Sequence, residues 1–125
     1  MSRMDEVLIV DDEPQIRELL KKSLERFGIR VRATEASTIK EAREAIHARK
    51  PRVVVLDWYL SDSLGTELAQ EIADDPTLHS IRVLAISGVD QRGLNERFFR
   101  RGATEFLRKP FSPSEFVESV IRLLA

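Results

Sequence analysis

Residues 53–57 read Val-Val-Val-Leu-Asp, four apolar residues in a row, three of them β-branched, closed by an acid. A strand with one wet face alternates apolar and polar residues, so an unbroken apolar run fits a strand covered on both faces. Similar short runs lie on either side at spacings of about 20 to 30 residues: Val7 to Val10, Ile29 to Ala33, Val83 to Ile86, and Phe106 to Leu107. Between them the apolar residues follow a helical period, as in Ile16, Leu19, Leu20, Leu24 and Phe27, then Ile39, Ala42, Ala45 and Ile46, then Leu68 and Ile72.

The punctuation agrees with this alternation of strand and helix. Pro14 suits a first helical turn, Gly28 follows the first helix, and Thr38 with Glu41 reads as a capping box. The last helix is the clearest: Ser112 caps it, Pro113 takes the first position, Glu115 closes the box, and Phe111 can staple onto Phe116. Phe116, Val120, Ile121 and Leu124 give that helix its predicted apolar face. Five strand and helix units joined by right-handed crossovers make an α/β fold, a doubly wound five-stranded parallel sheet with five helices. No repeat, low-complexity tract or linker interrupts the chain, so residues 1–125 are expected to form one domain.

Composition bounds the function. Apolar residues make up 42% and charged residues 33% of the 125, the balance of a globular domain. Apolar runs such as Val53 to Leu56 fall far short of the roughly 20 residues of a membrane-spanning helix. The amino-terminal stretch is too short for a secretory core, and with no cysteine a cytoplasmic location is expected. A net charge of −1 argues against direct nucleic-acid binding. That value hides a pattern: Val53 to Ile81 holds six acids and no Lys or Arg, whereas Arg82 to Lys109 holds seven basic residues against three acids. Most of these charges read as solvated helix faces; the alternative is a pair of flanks suited to a charged protein partner.

In an open α/β sheet, ligands sit at the carboxyl ends of the strands where the order reverses, which in the order 2-1-3-4-5 lies between strands 1 and 3. Those strands end in Asp11 and Asp12 and in Asp57. Like charges about 4 Å apart at an effective dielectric of about 20 repel by roughly 4 kcal/mol, so such a trio holds a cation or shifts its pKa values. Oxygen ligands with no His or Cys beside them favour Mg²⁺. Strand 4 ends in Ser87-Gly88 and strand 5 in Lys109-Pro110. Ser87 alone reads as a turn residue and Lys109 alone as solvated, but beside the acids they make a set able to stabilise a transferring phosphoryl group.

VLIVDD at the first strand, VVVLDWYL around Asp57, LAISG at the fourth and GATEFLRKPF at the fifth resemble the receiver domain of bacterial two-component response regulators. The resemblance covers essentially the whole chain, with spacings of 45, 30 and 22 residues between Asp12, Asp57, Ser87 and Lys109. It implies that Asp57 is the phosphoacceptor, taking its phosphoryl group from a sensor histidine kinase, a phosphotransfer protein or a small phosphodonor. It implies Mg²⁺ or Mn²⁺ held by Asp12, Asp57 and the backbone carbonyl of Tyr59, with Asp11 acting through water. Lys109 would pair with the phosphoryl oxygens, its bond to Pro110 being cis, while Ser87 and the Gly88 N–H would bond them. Phe106 resembles the aromatic switch that moves inward with Ser87. The output would be a shift in the surface of the fourth helix, fifth strand and fifth helix, where Arg92, Arg97, Arg100, Arg101 and Arg108 gather in part, and a homodimer or an acidic partner is expected there.

Some positions depart from the family pattern. Ser61 stands where the family often has proline, and Leu64 precedes Gly65 in place of an acid or amide. Tyr59 and Val89, each two residues after a site residue, occupy the positions that tune phosphate lifetime; a bulky ring and an apolar side chain there imply slow autodephosphorylation. Phe106 has no hydroxyl, so its switch rests on packing. A phosphatase with an aspartate nucleophile would need a second acid at Tyr59, and a nucleotide binder would not place the acidic DDEP after strand 1. These absences argue against turnover of external substrates. The remaining alternative is a pseudo-receiver that acts without phosphorylation, although such domains usually lose a site residue and none is lost here. His47 and His79 read as solvated.

Overall fold

The computed structural model describes residues 4–58, 65–88 and 102–125. Its elements are β1 (Asp5–Val10), α1 (Pro14–Arg26), β2 (Val31–Ala36), α2 (Ile39–Arg49), β3 (Val53–Asp57), α3 (Gly65–Asp74), β4 (Arg82–Ser87), β5 (Glu105–Arg108) and α4 (Pro113–Leu124). The five strands are parallel in the order β2-β1-β3-β4-β5, as the sequence predicts. The fourth of the five expected helices falls on residues 89–101, outside the described residues, so the last helix is α4 here.

The apolar run in β3 is explained by the two layers it divides. Val54 and Leu56 pack with Leu8 and Val10 beneath Ile46 of α2 and Leu68 and Ile72 of α3. Val53 and Val55 face the other way, packing with Val7, Ile9, Leu84 and Ile86 against Leu24 of α1 and Phe116 and Val120 of α4. All five residues of β3 are buried. Successive side chains on a strand point to opposite faces, so a strand covered twice has no position left for a polar residue until it reaches an end.

The helix ends are set locally. Ser112 accepts from the Glu115 N–H while the Glu115 carboxylate accepts from the Ser112 N–H, completing the predicted box, and the Phe111 and Phe116 rings lie 6.3 Å apart. Thr38 also caps α2 by accepting from the Glu41 N–H, but the Glu41 carboxylate takes the N–H and hydroxyl of Ser37 instead of closing onto Thr38. Gly28, with φ +71°, ends α1: its N–H donates to Glu25 and that of Ile29 to Leu24. This closing turn uses Ile29 as part of the helix cap. β2 therefore runs Val31–Ala36 rather than from Ile29 to Ala33.

Two predicted apolar faces are rotated. Leu19 is 53% and Phe27 47% exposed, whereas α1 buries Leu20, Leu24 and the polar Ser23, whose hydroxyl bonds the Leu19 carbonyl. On α4, Ile121 is 48% exposed, and Val117 and Leu123 join Phe116 and Val120 in the core. Each helical residue turns the side chain by about 100°, so Ile121 cannot share the line through Phe116, Val120 and Leu123.

Candidate functional site

Sequence places an acid after β1 and another at the end of β3; the sheet brings them together. Val10 pairs with Leu56, so the next residues, Asp11 and Asp57, leave the sheet side by side. Asp11, Asp12 and Asp57 each offer a carboxylate oxygen, and these oxygens lie within 4.8 Å of one another. Asp11 is 4% and Asp57 9% exposed, and Asp12 is half-buried. Burial raises the Asp11 carboxyl above its ordinary value, with the Asp12 charge adding to it, against the opposing pull of the Glu13 N–H and the Lys109 charge. Such a concentration of buried negative charge, presented by oxygen donors alone, fits a hard divalent cation.

The loop carrying the first two acids is tied down. Asp11 Oδ1 accepts from the Glu13 N–H at 2.8 Å, and the Asp11 N–H reaches Ala36 at the end of β2. Arg17 then braces it from α1: its Nη1 donates to the Asp11 carbonyl at 2.7 Å and its Nε to Glu35 at 2.9 Å. Arg17 escaped the sequence reading. Its position one turn into α1 was the available signal, because helical side chains lean back toward the amino end and so toward the preceding loop.

Asp57 is held from the other side. It pairs in register with Ile86, and the Trp58 N–H donates to the Ile86 carbonyl at 2.8 Å. The Gly65 N–H returns to the Trp58 carbonyl at 2.9 Å, and a Cβ on Gly65 would lie 2.7 Å from the Asp57 carbonyl oxygen. No larger residue allows α3 to start this close to the acid.

Ser87, 1% exposed, ends β4, and its carbonyl accepts from the Lys109 N–H at 2.7 Å. Lys109 follows β5, its charge reaches Asp11, and its bond to Pro110 is cis. A Cβ added to Gly88 would meet the Lys109 side chain only at ordinary contact distance, 3.5 Å. Phe106 is half-buried against Trp58, Ala85 and Ala103. Trp58, also missed as a site residue, thus joins the end of β3 to the ring of Phe106. Tyr59, Val89, Arg92, Arg97, Arg100 and Arg101 lie outside the described residues.

The doubly wound parallel sheet thus carries an acidic cluster at its switch point, with Ser87 and Lys109 on the neighbouring strand ends. The chain belongs to the response regulator receiver domain family, which it matches over residues 7–121. It is 34% identical over 111 residues to the phosphate regulon transcriptional regulatory protein PhoB of Pseudomonas aeruginosa, covering 89% of this chain and 48% of that protein. It is 33% identical over 115 residues to the chemotaxis protein CheY of Thermotoga maritima, covering 91% of this chain and 92% of that one. The chain therefore spans about half of the first relative and nearly all of the second. The structure of chemotaxis protein CheY4 from Vibrio cholerae superposes with a TM-score of 0.87, covering 98% of this chain and 100% of that one; at 23% identity this is a likeness of fold. Among the described residues no helix is long and apolar enough to cross a membrane.

Proposed function

We propose that this chain is a phosphoacceptor switch in which Asp57 receives a phosphoryl group from a phosphohistidine on a sensor kinase or phosphotransfer protein. The observation that carries this reading is the meeting of Asp11, Asp12 and Asp57 within 4.8 Å beside Ser87 and Lys109. A carboxylate oxygen of Asp57 attacks phosphorus, the P–N bond breaks, and the imidazole nitrogen keeps the electron pair, leaving an acyl phosphate. A Mg²⁺ or Mn²⁺ ion held by Asp12, Asp57 and the Tyr59 carbonyl, with Asp11 acting through water, would supply countercharge to the phosphoryl oxygens. The Lys109 ammonium, the Ser87 hydroxyl and the Gly88 N–H then take those oxygens as hydrogen-bond and charge partners.

The new group adds about −1 to −2 charges at the strand ends. Ser87 and Lys109 are drawn toward it, and Phe106, which packs on Trp58, Ala85 and Ala103, fills the space beneath. The surface of residues 89–101, β5 and α4 changes with it, as a shift between two populated states. A homodimer or an acidic partner reads that surface, which charge reversal at Arg97 and Arg101 tests by pull-down and sedimentation; unchanged association argues against this docking site. The domain works in the cytoplasm as one unit, turns over no external substrate and does not itself bind nucleic acid.

Acetyl phosphate with Mg²⁺ tests the central step by intact-mass measurement. The wild type gains one phosphoryl group and Asp57→Asn gains none. Labelling of both proteins overturns the assignment.

A further inference from the structure

A broad cleft lies at the opposite end of the sheet from Asp57, with a volume of about 1130 Å³. β3 has five residues, so its length puts roughly 16 Å of strand between the two ends. The cleft is basic: Arg32, Arg49, Lys50, Arg52 and Arg82 line it, against Asp5 and Glu6. Glu6 is 6% exposed and acts inward, accepting from Arg49 Nε at 2.9 Å, Arg32 Nη2 at 3.1 Å and the Thr34 hydroxyl at 2.7 Å. One buried carboxylate thus fixes two guanidinium groups, and among the described residues their remaining N–H donors have no acceptor. Lys50 and Arg82 are exposed and have no ion-pair partner among the described residues, and Lys50 is held there by a left-handed backbone, φ 50°.

Arg52 meets Asp5 at 3.9 Å and the Lys50 charge is felt by Asp75, but five cations against two acids leave the lining with a positive surplus, so the cleft suits an anionic ligand. Its chemistry narrows the class. No aromatic side chain lines the cleft, which leaves a nucleotide base nothing to stack on, and the cations are spread across β2, α2 and β4 rather than converging on one phosphate. Between them lie the apolar Met4, Pro51 and Ile81. We propose that this cleft docks an acidic peptide segment of a partner protein, with carboxylates interleaved with apolar residues. The surface is separate from the phosphoacceptor site and does not depend on the reading of Asp57.

Fluorescence anisotropy with a short fluorescein-labelled peptide of Glu-Glu-Leu repeats tests the proposal, beside a Lys-Lys-Leu control. The acidic peptide binds the wild type at low salt and weakens as salt rises, whereas the basic one does not bind. The double variant Lys50→Glu, Arg82→Glu changes two exposed side chains and keeps its thermal midpoint. It loses about tenfold or more in affinity, while Asp57→Asn binds as the wild type does. Equal binding by the double variant, or no binding to the wild type, overturns the proposal. Displacement of the peptide by inorganic tripolyphosphate at much lower concentration also overturns it, by assigning the cleft to a small polyanion.

Discussion

Arg17 Nη1 donates to the carbonyl oxygen of Asp11 across 2.7 Å while Arg17 Nε holds Glu35 at 2.9 Å, so one guanidinium spans from the acidic loop to the end of β2. The contact is to backbone, and its effect is to fix where the Asp11 and Asp12 side chains begin. Groups that orient metal ligands without touching the metal are typically worth about 10- to 100-fold in affinity. Arg17→Ala is therefore expected to weaken Mg²⁺ binding by about tenfold, and Arg17→Lys to recover only part, because an ammonium lacks the planar fork. Trp58, the only tryptophan, is 5% exposed and adjoins Asp57, so its fluorescence follows the titration. An unchanged midpoint in Arg17→Ala would remove Arg17 from the site.

Asp11 carries a stability cost. Because burial raises its carboxyl above the ordinary value of 3.8, the ionised form is disfavoured in the folded state, and the penalty is present at neutral pH and relieved as pH falls through the raised value. Asp11→Asn keeps an oxygen for the Glu13 N–H and removes the charge. Without divalent cation its melting temperature should exceed that of the wild type by a few degrees, for about 1 kcal/mol. Added Mg²⁺ should then raise the wild type more than the variant; calorimetry showing the reverse order would contradict this account.

Glu6 has the opposite sign. Burial alone would raise its carboxyl, but the bonds from Thr34, Arg49 and Arg32 outweigh it and hold it below the ordinary 4.5. A depressed folded-state value means stability that is present above about pH 4.5 and lost as pH falls through the lower value. Urea titrations across that acid range should show wild type losing stability more steeply than Glu6→Gln. At neutral pH Glu6→Gln should cost about 1 to 3 kcal/mol, since buried partners lose a charged acceptor. Parallel pH profiles for the two proteins would refute the assignment.

Gly102 has φ +92°, and a Cβ there would lie 2.4 Å from the Ala69 carbonyl oxygen. Both the backbone region and the contact with α3 exclude a side chain. Gly102→Ala should destabilise by at least about 2 kcal/mol, whereas Gly28→Ala, with φ +71° and nothing within 4 Å, should lose less. Equal midpoints in urea would mean that the approach to α3 carries no weight.

Phosphate lifetime is the prediction that rests on Tyr59 and Val89. If these side chains obstruct the attacking water, Tyr59→Asn and Val89→Glu each shorten the half-life of the acyl phosphate several-fold, by up to about tenfold, roughly 1.4 kcal/mol of barrier. Phosphate release after rapid removal of acetyl phosphate measures it, and rates matching the wild type would dismiss the obstruction.

Local pattern alone determined much of this protein. The unbroken run Val53 to Leu56 demanded a strand covered on both faces, and Ser112, Pro113 and Glu115 wrote the start of α4 into adjacent residues. Strand ends carrying Asp11, Asp12, Asp57, Ser87 and Lys109 were legible because a residue leaving a buried strand is the first that can be polar. What only the tertiary structure decided was partnership across distance. Arg17 and Glu35 are 18 residues apart, and Arg32 and Arg49 reach Glu6 from 26 and 43 residues away. Nothing in the spacing of those residues marks them as neighbours. The same limit explains Leu19, Phe27 and Ile121, which share a helical period with core residues yet stay exposed. A period states that a helix has a face, while the direction of that face is fixed by the sheet it packs on, and the sheet exists only once strands from the whole chain have paired.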